Sequence, residues 1–181
     1  FREVEVKDAS MILDWRTKPR VAGMMMSEVS DDMTPHLRWL NSVYDSKTYY
    51  HWIIQSDGRD VGLASINGID REKKQTSWGF YIGSDDDLGV GATVPAYVYN
   101  MLFAPEWDID VITAEVLETN PDVLRMHKMY GYEPTPELDH NLSDGTRVVT
   151  MKLTKLKWEK SPKFKNFVSE FPTRKWNTKN F

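Results

Sequence analysis

The stretch YYHWIIQSDGRDVGLASINGI constrains the fold of this chain more than any other part of the sequence. Two segments rich in aromatic and β-branched residues, 49–55 and 59–69, are separated by a short polar connection. Within that connection, Asp57 and Gly58 form the residue pair most typical of a two-residue hairpin turn. We therefore predict an antiparallel pair of strands, and with it a sheet at the centre of the fold.

The other predicted elements alternate between strands and helices around this hairpin. Hydrophobic spacing predicts further strands at 2–6, 75–83, 108–118 and 146–154, and helices at 8–17, 33–44, 94–103 and 121–130. No repeat or linker divides the chain, and 181 residues suffice for one domain with a substantial core. This order favours an α/β or α+β domain with one central sheet.

Composition excludes several classes of function. The chain contains no cysteine, which excludes disulfides, thiolate metal sites and a cysteine nucleophile. No apolar run approaches the roughly 20 residues of a membrane-spanning helix, and no signal-peptide pattern is present. We therefore expect a cytoplasmic protein without a membrane span.

Charge and aromatic residues set the end of the chain apart. Residues 155–181 carry eight Lys or Arg and two Glu, whereas residues 1–154 carry a net charge of −10. An acidic main body disfavours nucleic acid as a partner. We therefore divide the chain into a domain at 1–154 and a basic, aromatic extension at 155–181.

The extension contains four apolar residues with helical spacing, namely Phe164, Phe167, Val168 and Phe171. This spacing predicts an amphipathic helix that packs on the domain or on a second subunit, as in a homodimer. Its lysines then form a solvated face or, as an alternative, hold the phosphates of a nucleotide.

The sequence LGVGATV, residues 88–94, joins a predicted strand to a predicted helix. Small residues at the start of a helix let backbone N–H groups approach an anion, and the helix dipole adds to the attraction. Turns of this kind also occur simply to reverse the chain. The turn alone therefore leaves phosphate binding and a plain chain reversal as equal alternatives.

The helix predicted at 121–130 carries a histidine on its apolar face. Asn120 suits the N-cap, and Gly131 is placed to end the helix in a left-handed conformation. One apolar stripe is formed by Val123, Leu124, Met126, His127 and Tyr130. His127 is then either a packed core residue or a functional group that faces a cleft.

In combination, the turn and the helix resemble the GCN5-related N-acetyltransferase superfamily. The family's closing signature, N-x-x-A-x-x-L-Y-x-K-x-G-F, is matched in part by NPDVLRMHKMYGY, residues 120–132, and the resemblance spans about residues 1–154. Two departures are Asp86, where the phosphate turn usually starts with Arg or Gln, and His127, where the family usually has Tyr. The resemblance implies a central mixed, largely antiparallel sheet with a splayed strand pair and flanking helices, followed here by the tail helix. It also implies acyl-CoA as co-substrate and no metal.

The resemblance further implies where acyl-CoA binds. The pantetheine arm is expected along the strand at 80–82 and the pyrophosphate at the turn that follows. The expected cofactor-binding residues are Phe80, Tyr81, Ile82, Leu88, Gly89, Val90, Gly91, Ala92, Asn120 and Arg125.

Acyl transfer to an amine requires a group that removes a proton from the acceptor and a donor for the departing thiolate. His127 is expected to donate that proton, and its usual pKa near neutrality also allows it to relay one. A packing role or a cofactor contact is the alternative. Glu118 is the first choice for the base, with Glu115 and Glu28 as alternatives.

The N-terminal segment resembles, within the superfamily, enzymes of the pseudaminic-acid pathway type that acylate nucleotide-linked amino sugars. The expected acceptor contacts are Arg16, Met25, Met26, His36, Trp39 and Trp78. The implied reaction moves an acetyl or short acyl group from acyl-CoA to the amine of a UDP- or dTDP-linked deoxyamino sugar. The alternatives are an N-acetyltransferase for a protein N-terminus or small amine, and a catalytically silent acyl-CoA-binding module.

Overall fold

The computed structural model describes residues 1–27 and 29–173. The helices are α1 (Ala9–Thr17), α2 (Pro19–Ala22), α3 (Met33–Asp45), α4 (Val94–Leu102), α5 (Pro121–Met129) and α6 (Lys155–Glu159). The strands are β1 (Arg2–Glu3), β2 (Tyr50–Ser56), β3 (Arg59–Asp70), β4 (Gln75–Ile82), β5 (Val111–Leu117), β6 (Glu133–Pro134), β7 (His140–Asn141) and β8 (Arg147–Thr154). The four longer helices and the five longer strands after β1 were all predicted from the sequence.

The strands form one mixed sheet in the order β1-β2-β3-β4-β5-β8-β6, with β7 also paired to β8. All neighbours are antiparallel except β4 and β5, which run parallel. The predicted hairpin joins β2 to β3, and both Asp57 and Gly58 have positive φ angles, of 50° and 75°. This geometry is the type I′ turn that the Asp-Gly pair favours.

The sheet is covered on both faces because its central strands alternate their apolar side chains. Ile53 and Leu63 pack with α1 and α3 on one face. Trp52, Ile54 and Ala64 belong to the larger core beneath α4 on the other face. This burial on both faces is the main stabilising contribution expected for such a three-layer arrangement.

A glycine lets α1 approach the end of β4 closely. A Cβ atom built on Gly83 would lie only 2.1 Å from Cγ of Trp15, a buried residue of α1. The Gly83 N–H donates to the carbonyl of Val61 at 2.8 Å, which fixes this contact against β3. Helix α1 is thereby held over the end of the strand that lines the cleft described below.

The C-terminal extension packs on the domain, but without the long helix that its apolar spacing predicts. Helix α6 ends at Glu159, a 3-10 turn follows at Pro162–Phe164, and the chain is irregular from there to Thr173. The side-chain amide of Asn100 donates to the carbonyls of Phe164 and Phe167, both at 2.8 Å. Because Asn100 of α4 supplies these hydrogen bonds, the two backbone carbonyls have partners even though the segment does not form the predicted helix. The prediction of a helix through 164–171 was wrong, although Phe164, Phe167 and Phe171 do pack on the core and only Val168 is exposed.

Within the described residues, no helix is long and apolar enough to span a bilayer.

Candidate functional site

A cleft opens where the two parallel strands of the sheet separate. Strands β4 and β5 pair only from Gln75 to Ser77, opposite 111–113. Beyond that point β4 remains bonded to β3, and β5 remains bonded to β8, but the two strands no longer bond to each other. The gap leads into a cleft of about 840 Å³. The edge of β4 from Trp78 to Ile82 therefore offers unpaired backbone groups to a ligand that extends along it.

Phe80, Tyr81 and Ile82 all line the cleft, as the sequence predicts. Trp78 touches the cleft as well, but its indole is buried and stacks on Phe80, with 5.4 Å between the ring centroids. Its N–H donates to the hydroxyl of Tyr132 at 3.0 Å in the core. Trp78 is thus a structural residue in the floor of the cleft, which corrects its prediction as an acceptor-stacking group.

The turn at Leu88–Ala92 is a 3-10 turn that leads into the first turn of α4. Leu88 and Gly91 line the cleft, and a Cβ on Gly89 would meet no atom within 4 Å. Gly89 therefore leaves open space beside the turn, as expected where a pyrophosphate would approach. Val90 packs against the core, and the Ala92 carbonyl accepts from the Tyr130 hydroxyl at 2.6 Å, so these two residues shape the turn without lining the cleft.

Two of the three neighbouring carboxylates are neutralised by cations. Asp85 pairs with Lys18 at 3.0 Å and with Arg20 at 2.8 Å, and these cations hold its pKa below the usual value. Asp87 is buried and accepts from Arg59 at 2.6 Å. Repulsion between this acidic run and a bound pyrophosphate is thereby reduced, since two of the negative charges are compensated.

His127 lies at the inner end of the cleft, on the face of α5 that turns toward the core. The helix begins and ends as predicted: the Asn120 side chain accepts from the Val123 N–H, and Gly131 has a φ of +96°. The imidazole is buried among Trp78, Tyr99 and Tyr132, all uncharged. This desolvation lowers the pKa of His127 to about 4. His127 is therefore neutral near pH 7, which corrects the expectation that it titrates there.

The predicted base and one predicted cofactor contact lie away from the cleft. Glu118 is exposed at the end of β5 and pairs with Arg147 at 3.3 Å. Arg125 is on the outer face of α5 and pairs with Asp122 at 3.4 Å. Glu115, an alternative base, is the one carboxylate among the described residues that lines the cleft. Glu28, the other alternative, lies outside the described residues.

At the opposite end, α1, α3 and the segment after α2 surround the cleft. Arg16, Met25, Met26, His36 and Trp39 all line it, and Asn120 lines it from the side of α5. Trp39 stacks on His36, with 5.2 Å between the centroids, and its ring lies edge-on to His51 at 5.2 Å. The sequence residues predicted for the acceptor are thus brought together, apart from Trp78.

This end contains polar groups that have no partner among the described residues. Arg16 donates through Nη2 to the Ser27 carbonyl at 2.5 Å, but its Nη1 has no hydrogen-bond partner within residues 1–27 and 29–173. The hydroxyl of Tyr81 and Nδ1 of His51 are likewise buried without a partner in the described part of the chain. Burial lowers the pKa of Arg16 and of His51, the latter to about 4, and raises that of Tyr81. The group consists of one cation and two neutral residues, and none of them is acidic.

The sequence model of the acetyltransferase (GNAT) domain matches residues 1–133. The chain belongs to the GNAT acetyltransferase family. It is thus an enzyme of the class that transfers an acyl group from acyl-CoA to an amine. No curated protein matches the chain.

Solved structures agree with this GNAT fold. A spermidine N-acetyltransferase from Vibrio cholerae, in complex with CoA and spermine, superposes with a TM-score of 0.75 at 14% identity, covering 87% of this chain and 96% of that one. The aminoglycoside acetyltransferase AAC(6')-Ib, in complex with coenzyme A, superposes with a TM-score of 0.73 at 16% identity, covering 88% and 96%. At these identities the similarity establishes the fold.

No cluster of His, Asp or Glu suited to a metal ion occurs among the residues that the structure describes. His127 and Glu115 both line the cleft at the separated strands.

Proposed function

We propose that this enzyme transfers an acetyl or short acyl group from acyl-CoA to the amine of a small acceptor that also carries an anionic group. A nucleotide-linked deoxyamino sugar, with UDP or dTDP as the nucleotide, has this chemistry. The observation that carries the proposal is the charge of the acceptor end of the cleft, where Arg16 makes no ion pair with any described residue.

A cleft built for a polycation would need several carboxylates. The charged side chains that line this cleft in the described part of the chain are Arg16, Arg20 and Glu115. Arg20 is compensated by Asp85, so Arg16 remains as a cation with an unused donor. A phosphate or carboxylate of the acceptor would supply the partner that Arg16 lacks, in a charge-assisted hydrogen bond. A polyamine, in contrast, would place further positive charge beside Arg16.

In this proposal, one end of the cleft binds acyl-CoA and the other end binds the acceptor. The pantetheine arm extends along the unpaired edge of β4 and brings the thioester between β4 and β5. Glu115 removes the proton of the acceptor amine through a water molecule, and His127 donates a hydrogen bond to the thioester oxygen and then to the leaving sulfur. Arg16 and the polar groups around Tyr81 and His51 hold the remainder of the acceptor.

The substrate class is tested by following CoA thiol release with acetyl-CoA and longer acyl-CoAs against a panel of amines. The panel contains UDP- and dTDP-linked amino sugars, spermidine, an aminoglycoside and a peptide with a free N-terminus. Turnover of a nucleotide-linked sugar, with little on spermidine, supports the proposal. Turnover of spermidine alone would contradict it. Acyl-CoA binding by calorimetry without turnover of any amine would instead support a silent binding module.

The role of Arg16 is tested with Arg16→Gln. The loss of one charge-assisted hydrogen bond predicts a roughly 10- to 100-fold lower kcat/KM for the anionic acceptor. The affinity for acyl-CoA should stay unchanged. Arg38→Gln, at an exposed position of α3 outside the cleft, is the matched control. Equal effects of the two substitutions would refute the anionic contact.

A further inference from the structure

A buried tyrosine hydroxyl contacts one ring nitrogen of His127. The Tyr99 hydroxyl lies 3.5 Å from Nδ1 of His127. Beside this pair, the indole N–H of Trp78 donates to the Tyr132 hydroxyl at 3.0 Å. All four side chains are buried, with between 0% and 7% of their surface exposed.

The direction of the contact between Tyr99 and His127 follows from the acceptors within reach. A tyrosine hydroxyl has one hydrogen to donate, whereas the two ring nitrogens of a neutral histidine share one hydrogen. Among the described residues, Nδ1 of His127 is the one atom found in hydrogen-bond geometry with the Tyr99 hydroxyl. If Nδ1 carried the hydrogen, the buried O–H of Tyr99 would be left without an acceptor, which is unfavourable.

We infer that Tyr99 fixes His127 as the tautomer with hydrogen on Nε2, so that the cleft faces a hydrogen-bond donor. Tyr99 donates to Nδ1, and Nε2 is left as the ring nitrogen available to the cleft. Tyr99 is thus a positioning residue. The tautomer is a property of the protein alone, whereas its use in acyl transfer rests on the proposed function.

The consequence for chemistry is a division of roles between His127 and the base. A neutral imidazole with hydrogen on Nε2 can donate a hydrogen bond to a thioester oxygen or a leaving thiolate, but it has no lone pair there to take a proton from an amine. Another group, such as Glu115, must then remove the acceptor's proton. His127 consequently stabilises the leaving thiolate by a hydrogen bond, and the thiolate takes its proton from solvent.

The tautomer is measured by ¹⁵N NMR on the ligand-free full-length chain labelled at its four histidines. The signals of His127 are assigned from those that disappear in His127→Gln. We expect a pyridine-like Nδ1 and a pyrrole-like Nε2 near pH 7. The reverse pattern would overturn the inference. Because no acyl-CoA or acceptor is present, this result does not depend on the proposed function.

Tyr99→Phe removes the hydroxyl and keeps the ring. We expect hydrogen to appear in part on Nδ1 and, once an acceptor is known, a roughly fivefold to tenfold lower kcat with unchanged acyl-CoA affinity. Tyr97→Phe, on the same helix but facing Phe1 and Phe167, is the matched control and should have no effect.

A double variant separates positioning from mere packing. If Tyr99 acts through His127, then Tyr99→Phe should lower kcat little further in a His127→Gln background. Full additivity of the two losses would contradict a hydrogen bond from Tyr99 to His127. If Tyr99→Phe proves unstable, the NMR pattern of the unsubstituted protein still decides the tautomer.

Discussion

Three histidines whose pKa values are lowered by burial should make the stability of this protein depend steeply on pH between neutrality and pH 5. The pKa values of His127 and His51 are lowered from 6.5 to about 4, and the pKa of His36 is lowered as well. The unfolded chain therefore binds more protons than the folded one in this interval. The stabilisation is complete above pH 6.5 and is lost as pH falls toward 4, because protons then favour the unfolded state.

The size of the effect follows from the two pKa values. Between pH 7 and pH 5, one such histidine lowers the free energy of unfolding by about 2 kcal/mol, and two lower it by at most about 4 kcal/mol. For a chain of this length, that corresponds to a fall in Tm of roughly 8–15 °C. Carboxylates affect the free energy of unfolding mainly at lower pH. The reason is that folding lowers the pKa values of carboxyl groups such as Asp60 and Asp139.

The assay is urea or thermal unfolding at pH 7 and pH 5 for the unsubstituted protein and for His51→Gln and His127→Gln. Each substitution should make the fall in the free energy of unfolding from pH 7 to pH 5 smaller by about 2 kcal/mol. His140→Gln is the control, because His140 is exposed and should leave the pH dependence unchanged. An unchanged pH dependence in the double variant His51→Gln/His127→Gln would refute the reasoning.

Three further substitutions test the architecture. Gly89→Val should weaken acyl-CoA binding in calorimetry without lowering Tm, since its side chain would fill the open space beside the turn; unchanged affinity would count against this pyrophosphate site. Gly83→Ala should destabilise the fold by about 1–3 kcal/mol in urea unfolding, because its Cβ would collide with Trp15, whereas Gly89→Ala should be nearly neutral; equal effects would contradict the close approach of α1. Phe164→Ala should lower the free energy of unfolding by about 3–5 kcal/mol, since this ring is buried in the main core; an unchanged Tm would mean that the extension does not stabilise the domain.

The sequence predicted those features that depend on local chemistry. The Asp57-Gly58 turn, the Asn120 cap and the Gly131 end of α5 each follow from a residue whose backbone or side-chain preference is strong. The separation of β4 from β5 was expected from the family resemblance, and the structure contains it. These elements were sufficient to place His127 and the turn at 88–92 at one cleft.

The sequence could not reveal contacts between residues far apart in the chain. Glu118 was the first choice for the base, but its ion pair with Arg147 depends on the register of β5 against β8. Which carboxylate acts as the base stays a prediction. Trp78 was assigned to the acceptor, but its N–H is used by Tyr132, which lies 54 positions later. His51 was not recognised, although it alternates with Trp52 along β2 and therefore had to face α3.

The apolar spacing of the extension was interpreted as a helix because each phenylalanine recurs at a helical interval. In the structure, Asn100 bonds the carbonyls of Phe164 and Phe167, and the rings reach the core from irregular backbone. Periodicity alone cannot reveal such a partner, since it records which residues are buried and not what satisfies the backbone between them. The division of the chain at residue 154 remains a prediction.

The most direct test of the account compares single-turnover CoA release by the unsubstituted enzyme and by His127→Phe, with saturating acyl-CoA and an acceptor identified from the amine panel. Phenylalanine keeps an aromatic ring in the pocket but removes the Nε2–H donor. The account predicts a loss of about 10²-fold in the rate of acyl transfer, with acyl-CoA affinity and Tm close to those of the unsubstituted enzyme. A rate near that of the unsubstituted enzyme would show that His127 only packs in the core, and would contradict its role as the hydrogen-bond donor to the thioester and the leaving sulfur.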